Sequence, residues 1–227
     1  MDTSAPLRVL YRDAKYIACD KPSAILTTRG GEGDADSLTE RVRRELCPDA
    51  EVLHPLSRLD FDVSGVVLFA TSYEATQHAA KVRAAGQYQR EYHALVHPPL
   101  VEKSAEWTWE IGVDPRKPER RIAGGGRERE RAHTLARERE RRGEVSWIEL
   151  VPLTGRTHQL RVHCAKAAHP ILGDRTYRGA RRVTREDGSV LAVSRTMLHC
   201  ARVSLAGDIV VESRWHEDFA ALWAALA

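Results

Sequence analysis

Short apolar runs alternate along the chain with stretches of helical spacing. Val66-Val67-Leu68-Phe69-Ala70 is a continuous β-branched and aromatic run of the kind that forms a buried strand. Residues 7–11 and 15–19 are shorter strand-like runs, and Arg12-Asp13-Ala14 between them forms a hairpin turn. Residues 88–96 alternate, which puts Arg90, Tyr92, Ala94 and Val96 on one side of a strand with Tyr92 pointing inward. Leu38, Val42 and Leu46 share a helical face that starts at Ser37-Leu38-Thr39-Glu40, the spacing of a capping box, and stops before Pro48. Ala75, Ala79 and Val82 predict a second helix over residues 73–85, ended by Gly86. A third helix is expected with Thr157 as its cap, Leu160, Cys164 and Ala167-Ala168 on its apolar face, and Pro170 beyond its end. Phe219, Leu222, Trp223 and Leu226 give a closing core helix over residues 216–226. Strands interrupted by capped helices predict an α+β fold, a mixed, mainly antiparallel sheet flanked by helices.

Composition narrows the function classes only moderately. A chain of 227 residues with 42% hydrophobic content buries one sizeable core or two unequal lobes sharing a sheet, so a single domain over residues 1–227 is expected. The formal charge of +3 is too small to imply a nucleic-acid partner, which must instead rest on local clustering. Residues 114–142 supply such a cluster, rich in arginine but interleaved with glutamate. Alternating charge of this kind makes a solvated strand or helix face or else a phosphate-tracking surface; if residues 134–141 are extended, Arg137, Arg139 and Arg141 share one side and Glu138 and Glu140 the other, which would give a basic stripe. Gly143 then turns the chain into a strand over residues 144–153. The four cysteines are scattered without a pairing pattern, as reduced thiols in a cytoplasmic protein would be. No apolar stretch reaches membrane-spanning length and the amino terminus lacks a signal-peptide layout, so no membrane partner is expected. The glycine-rich loop over residues 27–36 lacks the Gly-Lys-Ser/Thr ending of a triphosphate cradle.

Two stretches carry candidate chemistry. The polar segment Leu56-Ser57-Arg58-Leu59-Asp60-Phe61-Asp62-Val63-Ser64-Gly65 is a loop entering the central strand and presents an arginine and two carboxylates. Asp60 is there a nucleophile, a general base or a metal ligand, or else a turn residue bonded to its own backbone. In Thr154-Gly155-Arg156-Thr157-His158-Gln159-Leu160-Arg161-Val162-His163, the residues His158 and Arg161 lie three apart on one helical face. Arg161 has the geometry to hold a carboxylate in a bidentate pair, with Asp60 the candidate; the alternative is an ordinary buried ion pair. His158, His163, Cys164, His169, His199 and Cys200 fit no two-plus-two ligand spacing, so no metal site is expected.

Arg58-Leu59-Asp60 with Ser64-Gly65, then Arg90-Glu91-Tyr92-His93-Ala94-Leu95-Val96, then Gly155-Arg156-Thr157-His158-Gln159-Leu160-Arg161-Val162-His163, then His169-Pro170-Ile171-Leu172-Gly173-Asp174, resemble in that order the RluA-type pseudouridine synthases. Leu10-Tyr11-Arg12-Asp13, Asp20-Lys21-Pro22-Ser23 and Leu198-His199-Cys200-Ala201 resemble the same family. The resemblance implies a pseudouridine-synthase-like catalytic fold with the active site in a central cleft between two sub-lobes. It also implies an isomerase that flips a uridine out of structured ribosomal or transfer RNA, without metal or cofactor. Asp60 would then be the catalytic aspartate, Tyr92 the ring on the target base and Arg161 the salt-bridge partner of Asp60. Arg58 would enter the helix where the base has left, and Arg156, His158, Leu160, Arg137 and Arg139 would line the RNA-binding surface. The chain departs from the family at Ser57 (usually histidine), Phe61 (basic), Val63 (threonine or alanine) and Arg90 (lysine). The catalytic motifs begin so early that the small amino-terminal RNA-binding domain of many relatives is not expected, and a monomer is. The competing classes are an idle RNA-binding or chaperone protein on the same fold, and a carboxylate-dependent hydrolase with Asp62 as second acid.

Overall fold

The computed structural model describes residues 6–30 and 36–227, so residues 31–35 of the expected glycine-rich loop lie outside the described residues. In chain order the elements are β1 (Arg8–Arg12), β2 (Tyr16–Lys21), α1 (Leu38–Leu46), β3 (His54–Pro55), β4 (Ser64–Ala70), α2 (Tyr73–Ala84) and β5 (Tyr88–Val96). There follow β6 (Ser104–Trp107), β7 (Ile111–Val113), β8 (Arg121–Ala123), β9 (Arg127–Glu130), β10 (Thr134–Arg142), β11 (Val145–Pro152) and α3 (Gln159–Lys166). The last are β12 (Arg182–Thr184), β13 (Val190–Ala192), β14 (Leu198–Leu205), β15 (Ile209–Glu212) and α4 (Glu217–Ala225). The chain divides into two compact units, Met1–Arg90 with Cys200–Trp215 and Glu91–His199 with His216–Ala227.

In the first unit β1 and β2 form the expected hairpin, and Asp13 closes it by accepting from the backbone N–H of Lys15 and Tyr16. β2 runs antiparallel to β4 from Tyr16 opposite Ala70 to Lys21 opposite Gly65. Both strands are buried along their whole length, which is why they read as continuous apolar runs rather than alternating ones. β14 and β15 form a second antiparallel hairpin. The predicted capping box is present at α1: the Ser37 hydroxyl accepts from the Glu40 N–H while the Glu40 carboxylate accepts from the Ser37 N–H. α2 ends at Gly86, with φ +72°, where the N–H groups of Gly86 and Gln87 return to the carbonyls of Arg83 and Val82 in a Schellman arrangement.

In the second unit β5, β11, β10 and β6 are antiparallel neighbours in that order, with Tyr92 opposite Leu150 and Thr134 between Pro152 and Trp107. Ala94, Leu95, Ile148, Leu150, Ile171 and Leu172 are fully buried in its core. A three-stranded sheet, β8-β7-β9, and a β12–β13 hairpin were not legible in the sequence pattern. Their strands are three or four residues long, too short to show a period. Ile111, Ala123 and Ala132 pack with Val162 of α3 and Tyr177 in a separate apolar cluster. The sheets and four helices make an α+β fold, as expected.

One expected pattern fails. The pairing of β10 with β11 shifts register between Glu138 and Glu140, so Arg139 is an extra residue and the side-to-side alternation breaks there. Arg141 turns to Glu138, donating from Nε at 2.9 Å, and its Nη2 reaches the Leu100 carbonyl. The three arginines therefore do not form a continuous stripe separated from the glutamates.

Candidate active site

The loop of the Arg58-Leu59-Asp60 motif is bolted to the segment after β2. Lys21, with no exposed surface, donates to the carbonyls of Pro22 (3.0 Å), Ile25 (2.7 Å) and Phe61 (3.2 Å). The Phe61 carbonyl also accepts from the Ala24 N–H. The Thr27 hydroxyl both donates to the Leu59 carbonyl (2.9 Å) and accepts from the Leu59 N–H (3.0 Å). These bonds fix the backbone on both sides of Asp60, whose carbonyl accepts from the Val63 N–H in a tight turn. Asp60 is half-buried, Leu59 and Val63 are buried, and Arg58 is exposed. A short, restrained turn that leaves a carboxylate partly open to solvent suits a reacting group.

Two glycine and serine positions of the motif have structural reasons. Gly65 has φ +113° and sits so close to β14 that a Cβ would lie 2.2 Å from the Cys200 carbonyl oxygen, so only glycine fits. The Ser57 hydroxyl shares a hydrogen bond of 2.9 Å with the Tyr88 hydroxyl. The Tyr88 ring in turn lies against the guanidiniums of Arg83 and Arg90, at 4.9 and 5.6 Å. Burial pushes the Tyr88 hydroxyl above its ordinary pKa, so it stays protonated as Ser57's partner.

In the second unit Tyr92 is buried on β5, as its place in the alternation predicts. Arg161 on α3 makes a bidentate pair: Nε donates to Asp174 Oδ2 at 2.7 Å and Nη2 to Oδ1 at 2.9 Å. Asp174 is completely buried and also accepts from the N–H groups of Thr176 and Tyr177. The Arg161 guanidinium stands 5.2 Å from the centre of the Tyr177 ring. The bidentate carboxylate that the helix calls for is thus Asp174, six residues into the His169-Pro170 motif, to which the sequence pattern alone attached no role. Its signal was available: an acidic residue at the end of the apolar run Ile171-Leu172 must be paired if buried.

The expected cap, Thr157, is displaced by one residue. His158 occupies the cap position with φ 56° and makes no side-chain cap; its Nδ1 meets the Tyr177 hydroxyl at 2.9 Å instead. The reason is Gln159, whose Oε1 accepts from the Arg156 N–H (3.0 Å) and the Thr154 hydroxyl (2.7 Å), while Nε2 donates to the His133 carbonyl (2.9 Å) and the Thr134 hydroxyl (3.0 Å). One buried amide thereby orders the loop before the helix and ties it to the start of β10. Arg156 is held by the Arg131 carbonyl and by Glu130 (2.5 Å). Leu160 is buried, in keeping with its place on the apolar face.

Of the charged strand residues, Arg137 is exposed and has no acidic partner among the described residues, while Arg139 lies 3.5 Å from Glu149. His163 bonds through Nδ1 to the Thr134 hydroxyl (3.0 Å) and through Nε2 to the Trp109 carbonyl (2.9 Å), so both ring nitrogens are engaged in holding α3. The cysteines are free thiols; Cys19, Cys164 and Cys200 are buried, and burial raises the Cys19 thiol to about 12.

This frame has known counterparts. A sequence profile described as RNA pseudouridylate synthase matches residues 15–166. The dual-specificity RNA pseudouridine synthase RluA of Vibrio cholerae is 31% identical over 172 residues, 74% of this chain and 67% of that protein. The tRNA pseudouridine synthase C of Vibrio vulnificus is 30% identical over 185 residues, 75% of this chain and 74% of that protein. The ribosomal large subunit pseudouridine synthase D of Xanthomonas campestris is 35% identical over 181 residues, 77% and 53% of the two chains. The solved structure of human RNA Pseudouridylate Synthase Domain Containing 1 superposes with a TM-score of 0.75 at 25% identity, covering 97% of this chain and 87% of that one. Fold and motifs together define a pseudouridine synthase, an isomerase of RNA. More narrowly, the chain belongs to the RluA-type pseudouridine synthase family.

Proposed function

We propose that this protein converts a specific uridine of structured ribosomal or transfer RNA to pseudouridine in the cytoplasm. The observation that carries the reading is the Asp60 turn, whose backbone is fixed on both flanks by Lys21 and Thr27. Asp60 acts on the flipped nucleotide, the C1′–N1 bond breaks, the base rotates, and a C1′–C5 bond forms; the C5 proton leaves and N1 ends protonated, so atoms balance without a second substrate. Tyr92 packs on the target base and assists removal of the C5 proton. Arg161, aligned by its bidentate pair with Asp174, is the cation that the family pattern assigns to the catalytic aspartate. Arg58, exposed beside the turn, fills the space the base vacates. Arg137, Arg139, Arg156 and His158 contact the RNA around it.

The test is carbodiimide labelling with primer-extension mapping of ribosomal and transfer RNA from cells with and without the gene, complemented by the wild-type chain or by Asp60→Asn. A pseudouridine lost on deletion and restored only by the wild-type chain is expected. Maps that are identical in all four strains would overturn the isomerase reading and leave an RNA-binding role on the same fold.

A further inference from the structure

Of the ten arginines that the sequence pattern singles out in residues 114–142, four are paired with glutamates among the described residues of the folded protein. Arg129 pairs with Glu110, Arg139 with Glu149, Arg141 with Glu138 and Arg142 with Glu140. A second group is more tightly clustered and has no such pairing. Arg175, Arg178, Arg181 and Arg182 lie within one short stretch of the second unit, all exposed and none with an acidic partner among the described residues. The carboxylates nearby are spoken for or set apart. Asp174 is buried on Arg161, and at the tip of the β12–β13 hairpin Asp187 engages Arg185 and Ser189 while Glu186 stands beside it.

The stretch is also rigid. Asp174 accepts from the N–H groups of Thr176 and Tyr177, and Gly179 donates to the Asp174 carbonyl. A Cβ on Gly179 would lie 1.8 Å from the Ile171 carbonyl oxygen and one on Gly173 1.9 Å from that of Arg195, so the turn is packed directly on neighbouring backbone. Tyr177 is buried between the exposed arginines, its hydroxyl bonded to His158 and to the Arg121 N–H. Arg181 and Arg182 line an open concavity of about 570 Å³ with Ala192 and Val193. Cations held on a fixed turn beside a concave surface lose little entropy on meeting a polyanion.

We propose that Arg175, Arg178, Arg181 and Arg182 form a phosphate-binding surface that grips the backbone of the substrate RNA. This rests on the RNA-modifying reading above and adds to it a surface that recognises the RNA. Because Asp174 anchors both this turn and Arg161, phosphate contact there is built onto the same support as the residue assigned to the catalytic aspartate.

The probe is a fluorescent 20-base-pair RNA hairpin, titrated with the full chain at several KCl concentrations. Each phosphate contact contributes about 0.9 to the slope of log K against log[salt] on a duplex. Replacing all four arginines (Arg175→Gln, Arg178→Asn, Arg181→Gln, Arg182→Gln) should flatten the slope by roughly 2 to 4 and weaken binding at least about tenfold at 0.1 M KCl. Asparagine is chosen at Arg178 because φ there is +64°. The pairs Arg175→Gln/Arg178→Asn and Arg181→Gln/Arg182→Gln should each give about half the change, so misfolding of the fourfold variant, checked by circular dichroism, does not end the test. Slopes unchanged in both pairs, or a wild-type chain that does not bind the hairpin, would overturn the proposal. Asp60→Asn should leave the slope unaltered. If the slope responds to the arginines while the wild-type chain forms no pseudouridine, the surface stands and the isomerase reading falls.

Discussion

The fully buried ammonium of Lys21 donates to three carbonyls that surround the Asp60 turn. A lysine is buried only where its charge is met, and here the acceptors are backbone carbonyl oxygens, that of Ile25 in a fully buried bond. Lys21→Met keeps the volume but strands the buried Ile25 oxygen, at about 1–3 kcal/mol, and removes a charge-assisted bond from each of the other two, at about 1.5–3 kcal/mol each. A fall in the urea midpoint worth at least about 3 kcal/mol is expected, together with loss of pseudouridine formation under conditions where the variant is still folded; a variant as stable and active as the wild type would refute the role. Asp174→Asn removes one charge of a buried bidentate pair, which costs about 3–5 kcal/mol. Chemical denaturation measures it directly. The sequence exposes both residues, Lys21 at the end of an apolar strand and Asp174 after Ile171-Leu172. Their partners are invisible in it, because the bonds join segments that are adjacent only after folding.

Local rules were enough to place the helices and their ends where the determinants lie within one turn of chain. The capping box at Ser37 and the glycine stop at Gly86 are such cases. They failed at α3, because Gln159 replaces a cap through bonds to residues more than twenty positions away, and at β10, because a bulge at Arg139 carries no sequence mark. Two glycines separate local from tertiary demand. At Gly86 a Cβ meets nothing, so Gly86→Ala costs only the positive φ, about 1 kcal/mol. Gly65→Ala also drives a methyl into the Cys200 carbonyl, so a loss of roughly 3 kcal/mol or more is expected, with a displaced Asp60 loop and reduced turnover. Thermal melts of the two variants side by side distinguish the two causes.

At the scale of the whole molecule, stability should fall on mild acidification. Burial, with Arg139 adding to it and Glu149 opposing, lowers His93 to about 4, and burial also lowers His163. Below the ordinary histidine value the unfolded chain takes up protons that the native histidines refuse, so the unfolded state gains as pH drops from about 6.5 towards 4. Between pH 7.5 and pH 5 His93 alone should remove about 2 kcal/mol, and His93→Gln should flatten that part of the profile. Urea unfolding at the two pH values is the measurement. Charge shows a similar dependence on the folded chain. The formal net value of +3 hides a segment in which four arginines are paired with glutamates and a turn whose four arginines have no acidic partner among the described residues.

The sequence by itself determined the α+β class, the helices with local caps, the buried pair of strands around Val66–Ala70 and the order of motifs that marks the family, since periodicity, capping and motif spacing are properties of contiguous chain. Tertiary structure alone decided that Asp174 makes a bidentate pair with Arg161, that Gln159 ties the entry of α3 to the start of β10, and which arginines have a glutamate within reach. Each of these depends on a partner supplied by another segment, and a pairing energy between distant segments exists only once the chain has closed the loop between them.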